Sequence, residues 1–190
     1  MLNQITAIHG TGVAASTNSY ESIATVTVGA GGTSSIDFTS ISSAYKHLQL
    51  RGLVRSTAAQ NYFGIRMRVG NGSIDSGNNY STHQLYGDGT SVSAGNNAPS
   101  DTTFMGTGLA ANDLASAYSV IIIDLLEYAN TNVYKTFRAL NGADKNGGGY
   151  VHLNSGSWRN TAAVNQISVY PSGGNFAQYS QIALYGIKGA

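Results

Sequence analysis

The side chains of this chain that could perform acid–base or metal chemistry are few and stand apart. Its histidines occupy four separate positions: His9, His47, His83 and His152. None of them has a second His, Asp or Glu at the spacing that places two metal ligands on one face of a strand or helix. His47 alternates with Gln49 and Arg51 on a polar strand face, as expected of a surface or interface histidine, and His83 is similar. The sequence therefore predicts neither a metal site nor a bound cofactor.

The carboxylates are equally scattered and form no pair suited to hydrolysis. A glycosidase needs two carboxyl groups that face each other across a sugar. Asp124 and Glu127 are three residues apart, which places them on opposite faces of a strand. Asp124 lies inside an apolar strand, so we expect an arginine such as Arg138 to satisfy it. A polysaccharide-cleaving enzyme is thus the least supported function, and we expect a protein without catalytic activity.

Glycine-rich segments of the sequence predict turns better than they predict ligand sites. Asp75 and Asp88 lie in such segments, where an aspartate closes a turn or binds calcium, although the spacing of an EF-hand loop is absent. The glycine cluster at 29–32 precedes a second strand pattern and not a helix whose amino terminus could hold a phosphate. No Gly-x-Ser-x-Gly nucleophile motif occurs. A hairpin turn is the better interpretation of residues 29–32.

Aromatic side chains beside polar loops are the remaining indication of a binding function. Trp158 precedes Arg159 in the sequence Gly-Ser-Trp-Arg-Asn. Tyr86 stands two residues before Asp88 in Leu-Tyr-Gly-Asp-Gly. A flat ring flanked by polar groups suits a sugar or a partner surface, because the ring supplies apolar area and its neighbours orient the ligand. These four residues are our candidate surface or glycan contacts; the alternative is that Trp158 and most tyrosines cover the edges of a sandwich core.

Composition describes the framework that must position these residues. The 190 residues include 24 glycines, 12 tyrosines, no cysteine and only 10% charged residues. A domain of this length needs neither a metal nor a disulfide for stability. The formal net charge is +1 and the cations are dispersed from Lys46 to Lys188, which argues against nucleic-acid binding because that binding needs clustered cations. The absence of cysteine excludes a disulfide framework and thiolate zinc sites without fixing the compartment.

No segment of the sequence predicts export or membrane insertion. Met1 to Ser19 lacks a cationic start, an apolar core and a small-residue cleavage site, so we expect no signal peptide. The longest strongly apolar stretch, Val120 to Leu126, contains Asp124 and is far shorter than the roughly 20 residues that cross a bilayer. We therefore expect synthesis and assembly without Sec export, and no membrane partner.

Apolar and polar residues alternate with a period of two along most of the chain. In Phe63 to Val69 four apolar residues share one face, as is typical of a half-buried antiparallel strand, and Lys46 to Arg55 alternates similarly. Further strands are predicted at Ser22 to Val28, Ser35 to Thr39, Tyr80 to Tyr86, Tyr118 to Tyr128, Val133 to Leu140, Val164 to Tyr170 and Tyr179 to Ile187. Nine or ten short strands separated by turns predict an all-β antiparallel sandwich.

Two features of this pattern carry further expectations. Leu109 to Tyr128 has some helical spacing, but the β-branched run from Val120 to Ile123 favours a strand in its second half. A continuous apolar run predicts a strand that is covered on both faces and central to the sandwich. The glycine-rich segments Gly70 to Asn79 and Gly87 to Phe104 are longer than simple hairpins, so we expect ordered loops that carry contacts.

Four blocks of the sequence resemble a known family. They are Ser19 to Val28 (SYESIATVTV), Tyr45 to Arg51 (YKHLQLR), Asp124 to Gly142 (DLLEYANTNVYKTFRALNG) and the closing stretch Gly156 to Ala190. Together they resemble small tailed-bacteriophage proteins of aquatic and cyanobacterial phages that are described as virion structural or tail-fibre proteins. The resemblance covers most of the chain from Ser19 onward, and it brings no catalytic motif with it.

The resemblance implies a non-enzymatic virion protein with a jelly-roll-like sandwich. Its first implication is a capsid decoration or cement protein bound to the major capsid protein, because the chain has no shaft of the kind that fibres use. By association with other phage appendages we expect a homotrimer. The alternative is a tail-fibre or tail-appendage domain, attached to tail proteins, that acts as a carbohydrate-binding host adhesin through Trp158, Tyr86 and the loops between Gly70 and Phe104.

The same resemblance suggests how the chain is organised and where it resides. We expect residues 20–190 to form a single β-sandwich domain. Residues 1–19 are small and polar, with Leu2, Ile5 and Ile8 as their apolar anchors, and we interpret them as an N-terminal arm or anchoring segment. The protein would be made in the host cytoplasm and incorporated into the virion without a signal peptide.

Overall fold

The structure, a computed structural model, describes residues 19–189, and all regular secondary structure in that range is β-strand. The strands are β1 (Tyr20–Thr27), β2 (Ile36–Phe38), β3 (His47–Val54), β4 (Tyr62–Asn71), β5 (Ser73–Ile74), β6 (Tyr80–Gly87), β7 (Val92–Ser100), β8 (Thr103–Leu109), β9 (Ser119–Leu126), β10 (Lys135–Asp144), β11 (Gly149–Trp158), β12 (Gln166–Pro171) and β13 (Gln181–Ile187). The predicted all-β class is confirmed. Residues 19–189 include no helix of the length and apolarity needed to cross a membrane.

The strands form two antiparallel sheets that enclose one core. The larger sheet has eight strands in the order β1-β13-β3-β9-β10-β11-β6-β7. The smaller sheet has the order β2-β12-β4-β5, and β8 also pairs with β4. This arrangement confirms the predicted antiparallel β-sandwich, whereas the jelly-roll topology stays a prediction.

Alternation along the strands determines which side chains enter the core. On β4, Phe63, Ile65, Met67 and Val69 are buried, as the period of two predicts. On β3 the inward residues are likewise apolar and belong to the same core cluster. Each strand thus contributes one apolar face to the space between the sheets, and burial of this surface is the main favourable contribution to folding.

The structure of the segment from Gly87 to Phe104 differs from the sequence-based expectation. The sequence predicts a long loop, but the segment contains strand β7 and the start of β8. Strand β7 is at the edge of the larger sheet and most of its residues are exposed. An edge strand with two solvated faces needs no apolar alternation, so its polar sequence gives no strand signal.

Strand β9 confirms the predicted strand but corrects its surroundings. Ile121, Ile123 and Leu125 point inward and are buried. Val120 and Leu126 point outward and are 61% and 46% exposed. The expectation that both faces would be covered is wrong, because the described part of the chain supplies only two layers and the outer face of the larger sheet has none above it.

Two cations lie inside the sandwich, where each holds a connecting segment in place. Arg55 is buried and donates through both guanidinium Nη atoms to carbonyl oxygens of residues 111–117. Lys135 is fully buried, and its Nζ donates to the carbonyls of Asn130, Val133 and Thr161 at 2.6, 2.8 and 3.0 Å. Buried cations require such partners, because leaving one unpaired is costly. Both side chains therefore stabilise the fold and are not available to bind ligands.

Candidate functional site

Trp158, the sole tryptophan, is part of the core and not of the surface. The residue is 1% exposed, so of the two interpretations of Trp158 the structure favours a place in the sandwich core over a flat face offered to a sugar. The indole Nε1 donates to Asp75 Oδ2 at 2.7 Å, and Asn79 Nδ2 donates to the same oxygen at 2.8 Å. Arg159 is exposed, and its Nη2 donates to the Asn78 carbonyl at 2.8 Å. These residues fasten the turn that connects β5 to β6.

The pKa of Asp75 reflects the same function as a turn anchor. Burial by itself raises the pKa of this carboxyl. The hydrogen bonds from Trp158, Asn79 and the Gly77 backbone together lower it by more than burial raises it, so the pKa stays below its usual value. The carboxylate is thus ionised and already saturated with donors. Of the two interpretations of this aspartate, the structure favours turn closure over calcium binding.

Tyr86 and Asp88 lie at the opposite end of the same strand pair. Tyr86 faces His152 across β6 and β11, whereas Trp158 faces Tyr80 six residues further along. Six residues of strand correspond to about 20 Å. The structure therefore separates the four predicted contact residues into two groups and does not bring them into one site.

Asp88 closes the β6–β7 hairpin with its own side chain. Its Oδ1 accepts hydrogen bonds from the backbone N–H groups of Thr90 and Ser91 at 2.9 and 2.8 Å, and from the Thr90 hydroxyl at 2.8 Å. These backbone hydrogen bonds hold the pKa of the Asp88 carboxyl far below its usual value. Asp88 lies at the rim of a cleft, but its carboxylate is already engaged in hydrogen bonds within its own turn.

The cleft beside Tyr86 is a cavity of about 360 Å³ between strands β6 and β11 of the larger sheet and strands β4 and β8 of the smaller one. We call it the aromatic cleft. Its lining is dominated by rings from four strands: Tyr62, Tyr86, Phe104, Tyr150 and His152. Gln84, Asp88, Thr107 and Gly149 complete the lining. A concave surface with several rings and few polar groups is the usual composition of a small-molecule site.

His152 is the centre of this aromatic group. The Tyr86 ring stacks on it at 4.8 Å between centroids with an interplanar angle of 12°. Tyr150 and Phe104 approach it edge-on, at 5.4 and 6.1 Å. These offset and edge-to-face contacts are the favourable arrangements of aromatic rings, so each ring helps to fix the others. The cleft wall is therefore preorganised.

Strand β8 closes the cleft because two contacts hold it close to the larger sheet. The Phe104 backbone N–H donates to the Thr82 hydroxyl at 3.0 Å, which fixes the position of the Phe104 ring. Gly106 has a φ of +126°, and a Cβ at this position would lie 2.2 Å from Asn141 Oδ1. A side chain at Gly106 is therefore excluded by both backbone conformation and space. The glycine allows β8 to approach β10 and form the floor of the cleft.

Several polar atoms next to the cleft have no hydrogen-bond partner among the described residues. They include His152 Nδ1 and Gln84 Oε1, which line the cleft, and Asn141 Oδ1 beneath it. Asn154, the strand neighbour of Gln84, leaves both side-chain atoms unpaired. Buried polar groups are nearly always hydrogen-bonded, and each exception calls for a partner such as a ligand or solvent. These atoms are buried beneath the cleft surface, so a ligand reaches them only if neighbouring side chains move.

His152 is only 5% exposed, and this burial lowers the pKa of its imidazole. The imidazole is therefore neutral at neutral pH, and each of its nitrogens is either a donor or an acceptor. Tyr150 is held by a hydrogen bond between its hydroxyl and Ser119 Oγ at 2.9 Å, and burial raises its pKa to about 12. The cleft wall thus carries no charge at neutral pH from either group.

A second cavity of about 290 Å³ continues the aromatic cleft along strand β7. The two cavities share Gln84 and Phe104 as lining residues. The second one is polar, and its remaining lining residues are Arg66, Thr82, Asn96, Asn97, Ser100, Asp101 and Thr102. Together they form one groove that is aromatic at one end and rich in amide and hydroxyl groups at the other.

The acidic residues weighed for catalysis are paired with cations. Asp124 Oδ2 accepts from Arg138 Nη2 at 2.6 Å, which confirms the predicted partner. Glu127 pairs with Lys46 at 2.8 Å. Within residues 19–189 no group of three or more His, Asp or Glu side chains converges on a common point. Asp124 and Glu127 are thus each engaged in an ion pair.

Sequence reasoning found Tyr86 but missed most of the cleft. Tyr150 was not singled out and His152 was weighed only as an isolated histidine, because β11 carries Val151 and Leu153 outward while His152 and Asn154 point inward. A usable signal was present in the alternation Tyr-Val-His-Leu-Asn that follows the Asn146-Gly147 turn. The proposed arm residues Leu2, Ile5 and Ile8 lie outside the described residues.

Comparisons with known proteins do not assign the chain to a group. No family model, no curated protein and no solved structure matches it.

Proposed function

We propose that this chain is a non-enzymatic virion protein that binds carbohydrate in the aromatic cleft, which is the adhesin alternative raised by the sequence. One observation carries the carbohydrate assignment: preorganised rings line a cleft that adjoins a cavity lined by amide and hydroxyl side chains. Sugars present apolar C–H faces and hydroxyl edges, so they need both kinds of group at once. The virion assignment rests on the family resemblance alone.

The dimensions and charge of the groove favour a short neutral oligosaccharide. Its two cavities, about 360 and 290 Å³, adjoin at Gln84 and Phe104, which line both, and together they have room for more than one sugar ring. Asp88, the acidic residue at the aromatic end, is occupied by its own turn. At the polar end the lining residues Arg66 and Asp101 have opposite charges, and Asp101 is paired with Arg68. Together with Asp88 these charges cancel, so a charged glycan would gain little, whereas the amides of Asn96 and Asn97 suit the hydroxyls of a neutral sugar.

Binding should be measured first on a glycan array and then by calorimetric titration of the best neutral oligosaccharide. Tyr86→Ala removes the ring that stacks on His152, and we expect at least about a tenfold loss of affinity, equivalent to 1.4 kcal/mol. Tyr134→Ala is the matched control, because Tyr134 is 58% exposed and lies outside the cleft lining. Thermal unfolding of both variants separates lost binding from lost folding.

Two results would contradict the carbohydrate assignment. One is an array on which the wild-type protein binds no glycan. The other is affinity that survives Tyr86→Ala in a variant that remains folded. The virion assignment is tested separately by antibody labelling of intact phage particles, and particles that lack the protein would overturn it.

Capsid decoration, the first implication of the family resemblance, is the other candidate function, and a different feature supports it. The outer face of the eight-stranded sheet exposes aliphatic side chains such as Leu140 and Leu153, which are 50% and 48% exposed. A cement protein must contribute buried interface area, and such a face is suited to it where no copy of this chain covers it. Particles that lack the protein should then lose heat stability, and equal stability would exclude the cement role.

A further inference from the structure

The larger sheet carries an apolar surface on its solvent side, opposite the core. Eight aliphatic residues on five of its central strands and on edge strand β7 make up this surface, which we call the outer apolar face: Leu53, Leu85, Val92, Val120, Ile122, Leu140, Val151 and Leu153. Their exposed fractions range from 36% to 75%. Isolated exposed aliphatic residues are normal on proteins, but a contiguous set has a functional meaning.

Strand register shows that the outer apolar face is contiguous. Ile122 lies opposite Leu140, Leu140 opposite Leu153, and Leu153 opposite Leu85, so four aliphatic residues form one row across the sheet. Directly opposed residues on neighbouring strands have Cβ atoms about 5 Å apart. A second row, two residues along the strands, begins with Leu53 opposite Val120 and alternates from there with glycine: Gly142 lies between Val120 and Val151, and Gly87 between Val151 and Val92.

The area of this face exceeds what a monomer usually exposes. Its eight residues are about half exposed on average. If a fully exposed aliphatic residue offers about 200 Å², the face presents roughly 800 Å², compared with about 300–600 Å² for the largest patch on a typical monomer. A stable protein–protein interface buries about 800 Å² on each partner. The outer apolar face therefore has the area of a complete interface.

The charge of the surrounding surface decides between a copy of this chain and a charged partner. The row next to the apolar rows contains Asp124 and Arg138, and these two neutralise each other through a 2.6 Å ion pair. Arg51, at the end of the Ile122 row, is the other ionised residue of these three rows. A nearly neutral face gives a charged partner no complementary field, and it can meet its own copy with little repulsion.

We infer that the outer apolar face is the contact through which copies of this chain associate. Sheets pack face to face at about 10 Å with interdigitated side chains, and a flat aliphatic face is suited to that packing. Two identical faces stacked in this way are related by a two-fold axis. The pairing goes beyond carbohydrate binding, because the aromatic cleft lies on the inner side of the same sheet and stays accessible in the pair.

The oligomeric state of the full chain tests this inference by light scattering coupled to size-exclusion chromatography at micromolar concentration. We expect the wild-type protein to be an oligomer and the double variant Leu140→Lys/Leu153→Glu to be a monomer. The two new charges face each other across β10 and β11, so they attract and leave the sheet intact. Leu140→Thr/Leu153→Thr is a second variant that keeps strand propensity.

Leu114→Lys is the control, because Leu114 is 48% exposed and is not part of the outer apolar face. It should leave the oligomer unchanged. A dimer that both double variants convert to folded monomers supports the inference, and a trimer would contradict the two-fold stacking. A monomeric wild-type protein, or an oligomer that persists in both double variants, overturns it, and neither result depends on whether the cleft binds sugar.

Discussion

Replacing Trp158 by phenylalanine should destabilise the fold without weakening carbohydrate binding. The indole of Trp158 donates to the Asp75 carboxylate at 2.7 Å from a site that is 1% exposed. A hydrogen bond to a charged acceptor contributes about 1.5–3 kcal/mol. Phenylalanine also leaves a cavity of about 40 Å³, which at about 24 cal/mol per Å³ adds about 1 kcal/mol. We expect a total loss of about 3 kcal/mol, or about 6–12 °C in Tm for a chain of this length.

The pH dependence of this loss identifies its cause. The pKa of Asp75 in the folded state is lower than its ordinary value of 3.8, so its hydrogen bonds stabilise the fold above that pH and are lost as the pH falls. The stability difference between wild type and Trp158→Phe should therefore shrink below about pH 4, towards the cavity contribution.

Urea unfolding at several pH values measures this difference, and calorimetric titration with the glycan measures binding. Asp75→Asn and the double variant complete a thermodynamic cycle that isolates the coupling between the two side chains. An unchanged unfolding free energy together with lost glycan affinity would refute the argument, because it would make Trp158 a ligand contact after all.

Two further predictions concern buried ionisable groups. Lys135→Met removes three hydrogen bonds to backbone carbonyls and should lower the free energy of unfolding by about 3 kcal/mol, measured by thermal unfolding. Lys46→Met breaks the exposed Lys46–Glu127 pair and should cost less than about 1 kcal/mol. Equal losses in the two variants would contradict the stabilising role of Lys135. Burial lowers the pKa of His152 from 6.5, so the unfolded chain takes up this proton first and stability falls as the pH drops below 6.5. Between pH 8 and pH 5 the stability measured by thermal unfolding should fall less for His152→Gln than for the wild type. His83→Gln is the surface control. Identical pH profiles for His152→Gln and the wild type would contradict the prediction.

Alternation of apolar and polar residues predicted the strands whose apolar side faces the core and whose polar side faces water. It failed for strands that do not follow this arrangement. Strand β4 has its apolar residues inside, so its period of two gave both the strand and its buried face. Strand β11 places His152 and Asn154 inside and Val151 and Leu153 outside, so the same period gave no reliable direction. A period of two states that a strand has two faces, but only the packing of the second sheet decides which one is covered.

The candidate site shows the same limit. Asp124 could be paired with Arg138 from sequence because an anion in an apolar strand needs a cation. Trp158 could not be placed, since a tryptophan beside a polar loop looks the same whether its indole N–H binds a ligand or a buried carboxylate. The aromatic cleft joins residues of four strands that are far apart in sequence, and the sheet order that brings them together has no local signal.

The most direct test of carbohydrate binding in the aromatic cleft is a titration of ¹⁵N-labelled protein with the best oligosaccharide, followed by nuclear magnetic resonance. The Trp158 indole N–H provides an internal reference, because it lies about 20 Å away along β6 and β11. We predict that the signals of Gln84, Tyr86 and His152 shift with the added sugar while the indole signal stays in place. Shifts centred on Trp158 and Arg159, with the cleft signals unchanged, would contradict the proposed site.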